Sequence, residues 1–135
     1  MRDLRRNSPR IDVEALCWEV IDDRETSALV VEISTEGARV ERPYVGGRIL
    51  REAPLQIEVP GIDEVMWAKG EVVFDRLVPV QANGGPFGLL RRTGYHIVMA
   101  AARDLRLVRD YVYEMHRIRR ERSDHDLALA AACYM

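Results

Sequence analysis

The chain has 135 residues, 47% hydrophobic and 31% charged, with a formal net charge of −2. That profile predicts one soluble globular domain with a core of its own and excludes a disordered chain. No apolar run approaches the roughly 20 residues of a membrane span. Cys17 and Cys133 stand far apart, and the basic start Met1-Arg2-Asp3-Leu4-Arg5-Arg6 lacks an apolar segment after it. Free thiols, no signal peptide and a cytoplasmic location follow as expectations.

The small net charge hides a distribution. Residues 1–10 carry four arginines against one aspartate, residues 102–122 carry seven arginines against four acids, and the remainder is net acidic. Lys69 is the only lysine. The arginine bias has two readings: a choice of planar, bidentate donors for phosphate or guanine edges, or the base composition of the source genome. Only the position of particular arginines decides between them.

In chain order, residues 1–10 read as an exposed basic arm, with Asn7-Ser8-Pro9 favouring an irregular path. Ile11, Val13, Ala15 and Cys17 then alternate with Asp12 and Glu14, a half-buried first strand, with Leu16 and Trp18 apolar on its second face. Asp22 to Glu25 is a turn. Ala28 to Ser34 is a second strand rich in β-branched residues. Gly37 marks a turn, and Ala38 to Glu41 alternates as a third strand, broken by Pro43 and Gly46-Gly47. Leu55 to Val59 is a fourth strand and Met66 to Phe74 a fifth, with Gly70 at a bulge or close approach. Residues 82–86 are a loop, and Gly94 to Met99 is a sixth strand.

The period then changes. Leu105, Val108, Val112 and Met115 recur at three and four, predicting an amphipathic helix of about 20 residues. Ser123-Asp124 is its expected stop, and residues 123–135 form a weakly helical tail. Six short strands followed by a helix predict a mainly β fold, a small antiparallel barrel or sandwich rather than alternating β and α units.

One stretch carries chemistry beyond the fold. Strand alternation places Glu32 and Ser34 on one face, and Gly37 follows at a turn. Alone, Ser34 and Gly37 are ordinary turn residues. Arg6 and Arg10, four apart just before the first strand, change the reading. Arg-x-x-x-Arg followed by an acidic position, then x-Ser-x-x-Gly, resembles the PilZ family of cyclic di-GMP receptors. Ala68 to Val73 is similar to that family's late strand and Thr93 to Val98 to its closing strand, so residues 5–120 are largely accounted for. The chain departs from the pattern at Glu32, where the family has Asp or Asn.

The resemblance implies a six-stranded antiparallel β-barrel over residues 11–122 with a C-terminal amphipathic helix. The arm at residues 1–10 would close over the dinucleotide. It implies a non-catalytic receptor whose ligand contacts are Arg5, Arg6, Arg10, Glu32, Ser34 and Gly37. Arg6 and Arg10 would meet guanine edges and phosphates. Arg5 adds charge, Glu32 accepts from guanine N–H groups, and Ser34 reaches phosphate or ribose. The ligand is cyclic di-GMP, with no cofactor. The output is relayed to an unidentified protein partner, with motility or surface-related control among the family's outputs, and the protein is a monomer or homodimer. The alternative is a degenerate PilZ domain acting as a protein adaptor without nucleotide.

Other chemistries fare worse. His96, His116 and His125 form no metal spacing with either cysteine. Ser34 lacks a nucleophile elbow, and no carboxylate pair stands out for acid–base work, so no enzyme is expected. Gly84-Gly85-Pro86-Phe87-Gly88 lacks a phosphate-loop lysine and reads as a hairpin loop. Acids along the arginine-rich helix argue for a solvated, ion-paired face rather than nucleic-acid contact. Tyr111 and Tyr113, at the edge of its apolar stripe, mark a candidate contact patch.

Overall fold

The computed structural model describes residues 10–21, 23–44, 46, 51–81 and 87–133. Arg5, Arg6 and the loop at 82–86 therefore lie outside the described residues. Six strands, β1 (Ile11–Ile21), β2 (Arg24–Ile33), β3 (Gly37–Pro43), β4 (Glu52–Ile57), β5 (Met66–Gln81) and β6 (Phe87–Ala100), precede one helix, α1 (Ala102–Cys133). The strands close into a barrel in the order β1-β2-β3-β6-β5-β4, and every pairing is antiparallel. The six-stranded barrel with a C-terminal helix read from the sequence is thus the fold.

Closure follows from the turns. Ile21 pairs with Arg24, so the β1–β2 connection is two residues long, and Asp23 takes a φ of 60°. Aspartate tolerates that left-handed conformation, which suits a tight hairpin. The register shifts between Lys69 and Gly70, the irregularity expected at that glycine.

The inward positions change character along the barrel. Near α1 they are apolar: Ile11, Ile33, Ala38 and Ile97 are all buried. Val108 and Val112 of α1 join this cluster, with Leu105, Tyr111 and Met115 partly buried against it. Towards the far end the same faces carry Glu19, Arg42, Arg91 and Thr93, all buried. Arg42 Nη1 lies 2.6 Å from Glu19 Oε1, and Tyr95 Oη donates to Glu19 Oε2. Arg91 forms a bidentate fork with Asp75, 3.0 Å from Nε to Oδ1 and 2.8 Å from Nη2 to Oδ2. Buried charge is tolerable only when paired in this way. Cys17, between the two regions, is a free thiol that burial and the nearby Glu19 carboxylate push up to about 12, which keeps it protonated and inert.

Several boundaries differ from the sequence expectation, and the fourth strand, read as Leu55 to Val59, spans Glu52–Ile57. The second strand starts at Arg24 rather than Ala28, because the hairpin pairs from its first residue. The fifth and sixth strands run on past Phe74 and back before Gly94, with Asp75 to Gln81 pairing against Thr93 to Phe87. Ser123 does not stop α1, which is 32 residues long, about 48 Å at the standard rise. Serine is a weak interruption when Leu127 to Ala132 favour helix on its far side. Tyr111 is partly buried on the core, while Tyr113 is 52% exposed.

Arg103, Arg109 and Arg117 of α1 pair with acids along the helix. Arg117 bonds Glu114 one turn back and Glu121 one turn on, the latter at 2.7 Å. Two bonds tie α1 to the start of β1. His116 Nε2 donates to the Arg10 carbonyl at 2.9 Å, and Arg119 Nη2 donates to the Asp12 carbonyl at 2.8 Å. The end of the arm is therefore seated on the helix. Among the described residues, no helix is long and apolar enough to cross a membrane.

Candidate functional site

The turn between β2 and β3 is built by Ser34. Its Oγ accepts from the main-chain N–H of Glu36 at 3.1 Å and of Gly37 at 3.2 Å. Its own N–H donates to the Gly37 carbonyl at 2.9 Å. A serine hydroxyl standing in for main chain is a common turn device. Ile97 N–H donates to the Glu36 carbonyl at 2.8 Å, which fixes the turn against β6.

Gly37 is required by its neighbour. A Cβ there would stand 2.3 Å from the Tyr95 carbonyl oxygen on β6. No side chain fits, so glycine lets β3 and β6 approach. The glycine expected at this turn thus serves a close approach of main chain to main chain.

Glu32 lies on β2 two residues before Ser34 and is half-buried. Its Oε1 is 2.9 Å from Arg10 Nη1, and its Oε2 is 3.7 Å from Arg39 Nη2. Arg10, from the arm, and Arg39, from β3, flank the one carboxylate. These groups open onto a cleft of about 380 Å³ whose other wall holds Phe74 and Arg76 of β5 and His96 of β6. The volume lies in the range of small-molecule sites, about 300–1,000 Å³. The Arg76 guanidinium sits 5.0 Å from the centre of the Phe74 ring, a cation–π distance.

Arg10, Glu32, Ser34 and Gly37 are thus brought together in one cleft. Arg5 and Arg6 lie outside the described residues. Arg39, Phe74, Arg76 and His96 were missed. Arg39 was findable, because it shares the Gly37 face by strand alternation. The other three reach the cleft only through the pairing of β5 and β6 with β3. Guanidinium groups on both walls, with an aromatic ring beside that of Arg76, suit a ligand carrying phosphates and planar bases. Among the described residues no cluster of His, Cys, Asp or Glu is fit to hold a metal.

Known proteins agree with this architecture. No curated protein matches the chain. Among solved structures, the inhibitor of motility MotI/DgrA of Bacillus subtilis superposes with a TM-score of 0.69 at 18% identity, over 89% of this chain and 55% of its own. The PilZ domain of YcgR from Escherichia coli, solved with c-di-GMP, gives 0.67 at 16%, over 89% of this chain and 98% of its own. The Borreliella burgdorferi PlzA protein, solved in complex with c-di-GMP, gives 0.58 at 6%, over 86% and 53%. The chain therefore spans about half the length of two of these proteins. At such identities the likeness is one of fold. The family model for the PilZ domain matches residues 4–114, most of the chain and all six strands, and with the barrel and the turn chemistry described above the chain belongs to the PilZ domain family.

Proposed function

We propose that this protein is a non-catalytic cyclic di-GMP receptor that relays ligand occupancy to a protein partner. The observation that carries the reading is the single cleft shared by Arg10 at the root of the arm and by Glu32, Ser34 and Gly37 of the β2–β3 turn. Arg6 and Arg10 supply donor forks for guanine edges and phosphates, with Arg5 as added charge. Glu32 accepts from guanine N–H groups. In this reading ligand contacts to Arg6 and Arg10 set the position of the arm, and ligand occupancy works as the switch. The bond from His116 to the root of the arm, with that from Arg119 to Asp12 of β1, gives that switch a route to α1.

A second reading has its own support. Glu32 is already ion-paired, and the Ser34 hydroxyl is already engaged by its own turn. Groups satisfied without ligand fit a degenerate PilZ barrel that works as a protein adaptor.

Calorimetric titration with cyclic di-GMP of the native chain, a folded Arg6→Ala/Arg10→Ala double variant and Glu32→Asp separates the two. The receptor reading expects micromolar or tighter binding, lost in the double variant and changed less than tenfold in Glu32→Asp. Tenfold stronger binding by Glu32→Asp would mark the native site as degraded, and a flat native trace would leave the adaptor.

A further inference from the structure

The geometry points to Arg39 as a ligand-binding residue in its own right, the one that selects guanine over adenine; this rests on the cyclic di-GMP reading above. Arg39 is two positions past Gly37 on β3, paired across to Glu32 on β2 and to Gly94 on β6. Gly94 offers no side chain to receive it, and the Phe74 ring lies over that glycine.

The hydrogen bonding of Arg39 is incomplete. Its Nε is buried with no acceptor, and its Nη2 lies 3.7 Å from Glu32 Oε2, too far for a hydrogen bond. Arg10, by contrast, bonds the other oxygen of that carboxylate at 2.9 Å. A buried donor without an acceptor is unfavourable. The side chain is 36% exposed, so a small turn of the guanidinium brings its Nε–H and Nη2–H fork to an acceptor in the cleft.

Glu32 decides what that acceptor is. A phosphate at the fork would lie against the Glu32 carboxylate and be repelled. A guanine presents acceptors and donors side by side. Its O6 and N7 meet the arginine fork, and its N1–H and N2–H₂ turn towards the carboxylate. Adenine puts the N6 amino group where O6 stands, donor against donor. The Glu32–Arg39 pair is therefore complementary to one base and not to the other.

The test titrates cyclic di-GMP and cyclic di-AMP into the native chain, Arg39→Ala and Arg39→Lys, each shown to be folded by thermal unfolding. Both variants should bind cyclic di-GMP about tenfold or more weakly, as expected for loss of a bidentate base contact. Cyclic di-AMP affinity should be unchanged, so discrimination narrows. Lysine should not rescue, because it keeps the charge and loses the fork; if Arg39→Ala fails to fold, Arg39→Lys carries the test. Undiminished cyclic di-GMP binding by the variants, with a native chain that binds, overturns the inference and leaves the receptor standing. Equal losses on both nucleotides would make Arg39 a phosphate contact and overturn the base selection. A native chain that binds neither nucleotide overturns the receptor reading and this inference together.

Discussion

The Tyr95 carbonyl oxygen occupies the space beside Gly37 where any side chain would begin, 2.3 Å from an added Cβ. The same tyrosine sends its hydroxyl through the barrel to Glu19. Gly37→Ala must push β3 from β6, and main chain yields less readily than side chain. We expect a loss of about 1–3 kcal/mol in stability, seen as a lower denaturation midpoint without ligand. A variant that lost only ligand affinity, at native stability, would mean the glycine serves the ligand instead.

Ser34→Ala removes the acceptor of two main-chain N–H groups at a serine only 5% exposed. The expected loss is about 1–3 kcal/mol, the scale for stranding buried donors. Hydrogen exchange should quicken at Glu36 and Gly37. Unaltered exchange there would show that the turn stands without the hydroxyl.

Glu19 is fully buried, and burial raises its carboxyl above the ordinary range despite the Tyr95 bond and Arg42. Glu19→Leu leaves the buried Arg42 guanidinium unpaired, which outweighs the relief of removing a desolvated carboxylate. The expected destabilisation is about 3–5 kcal/mol. Glu19→Leu paired with Arg42→Met should recover most of it, since the buried pair goes as a unit. A chemical-denaturation cycle over the four proteins checks the coupling.

Asp75 behaves in the opposite sense. The bond from Arg91 holds its carboxyl below the ordinary value of 3.8. The folded state therefore releases this proton more readily than the unfolded chain. The stability it contributes is fully present above that ordinary value and is lost as pH falls through the lowered one. Glu19, with a raised value, loses stability as pH rises from the ordinary range, so the two are separable. Asp75→Asn should cost about 2 kcal/mol at neutral pH and flatten the decline in unfolding midpoint in acid. An unchanged acid decline would assign it to other carboxylates.

The sheet was readable where alternation is clean. Ile11 to Cys17 and Ala38 to Glu41 each face water on one side and the core on the other, so their period survives in the sequence. It fails along the β5–β6 extension, where Leu77, Val80 and Leu89 are exposed and Pro79 falls in a paired strand. Arg10, Glu32, Ser34 and Gly37 were legible because they lie in two short stretches with recognisable spacing. Tyr95 beside Gly37, Arg42 beside Glu19, and Phe74, Arg76 and His96 across the cleft were not, because strand pairing sets these meetings. Arg39 was legible in principle, one alternation beyond the motif.

Amide-resolved NMR during titration with cyclic di-GMP reports both whether the nucleotide binds and where. Saturable shifts are expected at residues 5–10, Glu32 to Arg39 and His96, spreading to His116 and Arg119 of α1, with the far wall near Trp18 and Gln56 unmoved. Spectra unchanged at millimolar ligand, or shifts confined to a surface away from Arg10 and Glu32, would contradict the receptor reading.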